Sequence, residues 1–79
     1  MEKIYINTPY ITLGQLLKFA NVVEDGIDAK ILITEGYVKL NGEVEIRRGK
    51  KVYNNDEVII EYEGQKINLK VINEWKLKN

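Results

Sequence analysis

Four cations lie within five residues near the middle of the chain, Arg47, Arg48, Lys50 and Lys51, with Gly49 between them. Like charges this close repel one another, so the segment is stabilised when an anion neutralises it. Phosphate suits this role because arginine offers a planar fork of N–H donors and lysine a mobile point charge. From charge alone, a phosphate-binding loop and a solvated basic loop that only keeps the protein soluble are about equally supported.

The overall charge of the chain conceals this cluster. Twelve lysines and arginines balance twelve aspartates and glutamates, so the formal net charge is zero. Between Lys39 and Lys51, however, five cations stand against two carboxylates, a local balance of +3. Because the field around a protein depends on where its charges lie, a neutral chain can still present a positive face to a polyanion.

Catalytic and metal-binding chemistry is poorly represented. The chain contains no histidine, which removes the commonest general base and zinc ligand, and no cysteine, which removes disulfides and thiolate metal sites. Glu61 and Glu63 share one face of a predicted strand, where Lys66 and Lys70 of the next strand can pair with them. We therefore expect no enzyme activity, no cofactor, no metal and no small-molecule substrate.

The composition is typical of one small domain. Hydrophobic residues make up 44% of the 79 residues and charged residues 30%, which is ordinary for a globular protein with a single core. No apolar run approaches the roughly 20 residues that cross a bilayer, and the first residues do not resemble a signal peptide. We expect a cytoplasmic protein without a membrane partner, with one domain over residues 1–72 and a C-terminal tail over residues 73–79.

A strand and two helices are predicted before the basic loop. Alternating apolar and polar residues predict a short strand over residues 2–6. Thr12 is predicted as the N-cap of a first helix over residues 13–20. A second helix is expected to begin at Asp25 and to end before Gly36, which supplies the left-handed stop. Two helices joined by a short link form a helical hairpin.

The remainder of the chain is predicted to be β-structure. Residues 41–42 (Asn-Gly) predict a tight type I′ turn, and residues 54–56 predict a second turn. The strongest strand pattern covers residues 58–63, and a final strand covers residues 67–71. The predicted fold class is α+β, with a two-helix hairpin packed on a small antiparallel sheet of four to five strands.

Two further features receive only a structural interpretation. Gly14 lowers the helix propensity of the first helix, and the sequence shows no local compensation. The seven aromatic residues are scattered and not interleaved with cations. We therefore predict that most of them lie in the core or at its edge, and that the chain is not a stacking platform for single-stranded nucleic acid.

The motifs from Thr12 to Val58 resemble the S-four RNA-binding domain, named after the fourth protein of the small ribosomal subunit. Within that superfamily, the Ala-Lys pair, the Asn-Gly-Glu turn and the basic loop are similar to the small stand-alone bacterial YaaA/YbcJ-like proteins. The residues that carry the resemblance are Thr12-Leu13-Gly14-Gln15-Leu16-Leu17-Lys18, Ala29-Lys30, Ile33-Thr34-Glu35-Gly36-Tyr37-Val38-Lys39-Leu40-Asn41-Gly42-Glu43 and Arg47-Arg48-Gly49-Lys50-Lys51.

The sequence departs from the family pattern at two places. The family usually has a glycine where Ile27 stands, and Gly-Asp where this chain has Asn55-Asp56. The second change is mild because asparagine tolerates positive φ better than most residues. The first implies that RNA contacts at the start of the second helix differ from those of the family.

The resemblance implies an S-four-like fold with the αL motif, and docking on structured, ribosomal RNA or on ribosomal subunits. It also implies a role in ribosome assembly or translation. The alternative from the residues is a protein-interaction adaptor whose basic loop binds an acidic protein partner. The RNA-binding residues predicted in this way are Lys18, Lys30, Arg47, Arg48, Gly49, Lys50 and Lys51.

Overall fold

The computed structural model describes residues 1–75. Its elements in chain order are β1 (Glu2–Ile6), β2 (Ile11–Thr12), α1 (Leu13–Phe19), α2 (Gly26–Thr34), β3 (Val38–Leu40), β4 (Glu43–Val44), β5 (Lys51–Val52), β6 (Glu57–Tyr62) and β7 (Gln65–Asn73). Of the predicted tail over residues 73–79, Asn73 is the last residue of β7, and residues 76–79 lie outside the described residues.

Five strands form one mixed sheet in the order β1-β7-β6-β3-β4. The α+β class and the helical hairpin are confirmed, but the sheet is not purely antiparallel as predicted. β1 runs parallel to β7, with Ile4 opposite Val71, while the other neighbours in this sheet are antiparallel. These two strands lie at opposite ends of the described chain, so no turn motif between them indicates their direction.

A second, two-stranded sheet joins β2 to β5. Ile11 pairs with Val52 and Thr12 with Lys51 in antiparallel register. Sequence analysis did not predict this ladder, because each strand contributes only two residues and shows no alternation of its own. The ladder brings the end of the basic loop next to the start of α1.

The core lies between the two helices and one face of the five-stranded sheet. Leu13, Leu16 and Leu17 follow helical spacing along α1, and all three are fully buried. Among residues 1–75 no polar or charged residue is buried. The buried apolar residues are Ile4, Ile6, Leu13, Leu16, Leu17, Ala29, Ile33, Val38, Val52, Val58, Ile60, Leu69 and Val71.

The predicted helix ends are present. Gln15 Oε1 accepts a hydrogen bond from the Thr12 backbone N–H at 3.3 Å, as expected of a capping box. Asp25 Oδ1 accepts from the Asp28 N–H at 2.9 Å at the start of α2. Gly36 follows α2 with a φ of +86°, the left-handed conformation that ends a helix.

The prediction that most aromatic residues lie in or at the edge of the core is wrong. None of the seven is buried, and their exposed fractions range from 37% for Trp75 to 60% for Phe19. The thin space between two short helices and one sheet is filled by leucine, isoleucine and valine instead. Part of each aromatic side chain therefore lies at the surface.

Candidate nucleic-acid interface

The basic loop, residues 47–51, is attached to the N-terminus of α1 by its backbone. The Leu13 N–H donates to the Lys50 carbonyl at 2.8 Å, and the Gly14 N–H donates to the Arg48 carbonyl at 3.0 Å. The first N–H groups of a helix have no partner within the helix. The loop carbonyls satisfy two of them and so hold the loop beside α1.

Gly14 permits this close approach. A Cβ atom at Gly14 would lie 2.5 Å from Arg48 Cγ and 3.5 Å from the Arg48 carbonyl oxygen. Real Cβ atoms do not approach other carbons this closely, so any side chain here would push Arg48 away. The compensation for glycine in α1 is therefore a tertiary contact, which the sequence of the helix does not show.

The two turns on either side of the loop are tied together by side chains. Asn41 Nδ2 donates to Asp56 Oδ1 at 3.0 Å, and the Glu57 N–H donates to Asn41 Oδ1 at 2.9 Å. Asp56 Oδ2 also accepts from the Tyr53 N–H at 2.8 Å. Asn55 has a φ of +70°, consistent with an asparagine in place of the family's glycine. These bonds brace the base of the basic loop.

Three of the predicted site residues line one cavity, which we call the cationic cavity. Lys18, Arg48 and Gly49 line a volume of about 170 Å³ between the start of α1 and the start of α2, together with Thr12, Gly14, Gln15, Gly26 and Ala29. Lys18 and Arg48 make no ion pair with another residue of the described chain. Their charges are therefore available to an anion.

Two residues of α2 that the sequence analysis singled out do not line the cationic cavity. Lys30 follows the buried Ala29 but is exposed on the helix and does not line the cationic cavity. Ile27 is 71% exposed and does not line the cavity either. The bulky residue at the family's glycine position therefore leaves the cavity open.

Arg47 and Lys50 lie on the other side of the loop, beside carboxylates. They line a depression of about 380 Å³ together with Glu43 and Glu45. Arg47 Nε donates to Glu45 Oε2 at 2.9 Å and the second guanidinium nitrogen to Glu45 Oε1 at 3.0 Å. Within residues 1–75 this is the one ion pair. The charge of Arg47 is therefore partly neutralised.

The same contact changes the ionisation of Glu45. Hydrogen bonds from the Arg47 side chain lower the pKa of the Glu45 carboxyl from 4.5 to about 2. Burial of the carboxyl opposes this shift, and the nearby charges of Arg47 and Lys50 reinforce it. Glu45 is thus a carboxylate throughout the physiological pH range and remains paired with Arg47.

Lys51 points to an aromatic ring. Its Nζ atom lies 4.7 Å from the centroid of Tyr10, within the range of a cation–π interaction. Tyr10 in turn contacts Tyr53. Sequence analysis missed both tyrosines as site residues, because only the pairing of β2 with β5 brings them to the basic loop.

Two acidic residues of β6 lie opposite lysines of β7. Glu61 lies opposite Lys66, and Glu57 opposite Lys70, in the β6–β7 ladder, while Glu63 falls in the turn with a φ of +50°.

In the part of the chain that the structure describes, no three potential metal ligands come together. No helix over residues 1–75 has the length and apolar character needed to cross a bilayer.

Comparison with known proteins shows three similarities. The family model described as S4 domain matches residues 4–70. The probable ribosome maturation protein RlbA of Bacillus subtilis is 48% identical over 58 residues, which cover 73% of this chain and 82% of that protein. The putative RNA-binding protein YbcJ of Escherichia coli is 46% identical over 44 residues, which cover 56% of this chain and 63% of that protein.

The fold is also similar to a solved structure. The solution structure of YbcJ from Escherichia coli, described as revealing an αL motif involved in RNA binding, has a TM-score of 0.59 and 31% sequence identity to this chain. The superposition covers 87% of this chain and 86% of that one.

Proposed function

The chain belongs to the S4 domain family, and from this premise we propose that it docks on structured ribosomal RNA through the phosphate backbone. This is a family of RNA-binding modules without enzyme activity, so the protein is a binding module. The names of its relatives support the proposal, since one is a probable ribosome maturation protein and the other a putative RNA-binding protein. We propose a role in ribosome maturation or translation in the cytoplasm.

The cationic cavity is the observation that carries this proposal. Lys18 and Arg48 face a common space and make no ion pair with another described residue. A phosphate between them would accept charge-assisted hydrogen bonds from the Arg48 fork and the Lys18 ammonium group. Because the loop backbone is already held by α1, little ordering is needed when the RNA binds.

The remaining cations extend the footprint of this site. Lys50 lines the depression beside Glu43 and Glu45, and Lys51 lies over the Tyr10 ring. Lys30 is exposed on α2. Arg47 would join the contact once phosphate competes with Glu45 for its guanidinium. Folded RNA presents phosphates in a pattern set by its helical shape. Phosphate contacts position a protein on RNA, so the shape of the surface selects the target.

The direct test is binding to purified ribosomal RNA fragments and co-sedimentation with ribosomal subunits at several salt concentrations. Neutralising about five phosphates should give a slope of log affinity against log salt of about −4. Release from the subunits at high salt is expected for the same reason. Absence of binding to any folded ribosomal RNA at low salt, or binding that salt does not weaken, would contradict the proposal. Binding to protein-free RNA also separates it from an adaptor that needs an acidic protein partner.

Gly14→Ala should weaken RNA binding by about 10-fold, because the new Cβ displaces the Arg48 side chain and removes one charge-assisted contact. Thermal stability should change little, since alanine gains up to about 1 kcal/mol of helix propensity that opposes the clash. Affinity and thermal unfolding would be measured on the same samples.

Gly26→Ala is the matched control for this variant. Gly26 lies in the first turn of α2, as Gly14 does in α1, and lines the cationic cavity, but a Cβ there would meet no atom within 4 Å. Its RNA affinity should fall less than that of the Gly14→Ala variant, because the Arg48 side chain keeps its position. Equal affinities of the Gly14→Ala variant and the parent would show that the close approach of Arg48 to α1 has no part in binding.

Glu45→Gln should strengthen RNA binding by about 3-fold to 10-fold and make the salt slope steeper by about one unit, because Arg47 becomes free to contact a phosphate. Glutamine keeps an acceptor for the Arg47 backbone N–H, which donates to Glu45 at 3.0 Å. Glu43→Gln is the control, since Glu43 lines the same depression without an ion pair in the described chain. A Glu45→Gln variant no tighter than the Glu43→Gln variant would contradict competition for Arg47.

The same pair has a defined pH dependence. The folded-state pKa of Glu45 is depressed from 4.5 to about 2, so its contribution to stability is present above pH 4.5 and is lost as the pH falls towards 2. Between about pH 5 and pH 8 the carboxylate stays charged, and the affinity ratio of the Glu45→Gln variant to the parent should stay constant.

A further inference from the structure

The small β2–β5 ladder presents two tyrosines on its outer face. Val52 is fully buried opposite Ile11, so this pair faces the core. Because side chains alternate along a strand, the next residues outward, Tyr10 and Tyr53, lie on the opposite face with Thr12 and Lys51. Their exposed fractions are 38% and 49%. Both rings are therefore accessible from solvent.

The two rings and the lysine form one surface. The centroids of Tyr10 and Tyr53 are 6.0 Å apart, with an angle of 54° between the ring planes. Lys51 Nζ lies 4.7 Å above the Tyr10 ring. Such a surface combines a flat apolar area with a positive charge, which is the combination that binds a nucleobase and its adjacent phosphate.

Tyr10 also forms one wall of an open groove beside α1, which we call the aromatic groove. The groove has a volume of about 620 Å³, and Phe19, which is 60% exposed, also lines it. Gln15 and Lys18 line both the aromatic groove and the cationic cavity. The two sites therefore share a wall, and one nucleotide chain can pass from one to the other.

The charged residues that line the aromatic groove differ from those that line the groove beside Tyr62. Lys18 is the only charged residue among those described that line the aromatic groove. The exposed tyrosine Tyr62 instead lines a groove with Glu24 and Asp28, which would repel a phosphate backbone. The aromatic groove is therefore the one suited to a polyanion.

We propose that the aromatic groove takes one unpaired base of the bound RNA, next to the nucleotide whose phosphate lies between Lys18 and Arg48. The base stacks on the Tyr10 ring, while Lys51 and Lys18 neutralise the phosphates on either side. This inference rests on the proposed function and deepens it, since it defines the RNA class as a duplex interrupted by an unpaired nucleotide. Stacking tolerates any base because each has a π-face.

The test uses two RNA probes, a duplex of about 16 base pairs and the same duplex with one unpaired 2-aminopurine in the middle. The parent should bind the interrupted duplex about 10-fold more tightly and should quench the 2-aminopurine fluorescence. Tyr10→Leu should lose both the preference, measured as the ratio of the affinities for the two probes, and the quenching. Tyr10→Phe should retain both, because the ring remains.

Tyr37→Leu is the matched control. Tyr37 is 40% exposed and contacts Tyr62 with centroids 4.9 Å apart, and it does not line the aromatic groove. Its replacement should leave the preference for the interrupted duplex and the quenching unchanged. Equal affinity of the parent for the two probes without quenching, or quenching that persists in Tyr10→Leu, would overturn the stacking proposal and leave the proposed function standing. Failure of the parent to bind either probe would instead overturn the proposed function, and the stacking proposal with it.

Discussion

Replacing Arg47, Arg48, Lys50 and Lys51 together with alanine is expected to lower affinity for ribosomal RNA by on the order of 100-fold at low salt. The slope of log affinity against log salt should flatten from about −4 to about −2, because only Lys18 and Lys30 of the helices still contact phosphate. The fold should survive, since the loop is attached to α1 through backbone carbonyls. Binding titrations at four or more salt concentrations, with circular dichroism of both proteins, would measure this.

A second quadruple variant controls for net charge. Lys3, Lys39, Lys66 and Lys70 are strand residues of the five-stranded sheet. The next residue along the strand from each lysine is apolar and buried or half-buried, which places the lysines on the face away from the helices. Their replacement by alanine removes the same charge and should weaken binding only slightly. Parent-like binding by the loop variant, or an equal loss in the control, would contradict the assignment of the site.

Leu16→Ala is expected to lower the free energy of unfolding by about 3 kcal/mol, because Leu16 is fully buried between α1 and the sheet. A domain of this size has a total stability of only about 5 kcal/mol, so the variant keeps about 2 kcal/mol and should unfold at a much lower urea concentration than the parent. Urea denaturation followed by circular dichroism would show the shift.

Lys18→Ala on the same helix provides the comparison. Lys18 is exposed and lines the cationic cavity, so its replacement should change stability by less than about 0.5 kcal/mol while weakening RNA binding. Stability and affinity would then depend on separate residues of one short helix. An unchanged denaturation midpoint in Leu16→Ala would show that the core is assigned wrongly.

Local signals in the sequence predicted most of the elements correctly. Three such signals are the N-cap at Asp25, the helix end at Gly36 and the Asn41-Gly42 turn. Each determines the conformation of only a few neighbouring residues. Each of them depends on backbone conformation and short-range hydrogen bonds, which the residue type specifies directly. The positions of α2 and of the first hairpin were therefore predictable.

Contacts between distant residues were not predictable in the same way. The parallel pairing of β1 with β7 and the ladder of β2 with β5 join segments that are far apart in the chain. The low helix propensity of Gly14 in α1 is explained only by its close contact with Arg48. The exposure of the tyrosines is explained only by the small size of the core. Such features depend on packing, for which residue type is a weak guide.

The candidate site was partly predictable. The cations of the basic loop could be identified by type, and Lys18 does join Arg48 and Gly49 at one cavity. The ion pair of Arg47 with Glu45 was missed, although the two residues are only two positions apart and lie on one side of an extended segment. Tyr10 was missed because its partner Lys51 comes from another strand.

The central claim is that RNA contacts the surface formed by α1, the start of α2 and the basic loop. The most direct measurement is a two-dimensional NMR titration of the amide signals with a structured ribosomal RNA fragment. The largest shift changes should fall in residues 10–19, 26–30 and 47–53, and should decrease as salt is added. Changes centred instead on the acidic groove around Glu24, Asp28 and Tyr62, or on the lysines of the opposite sheet face, would contradict it.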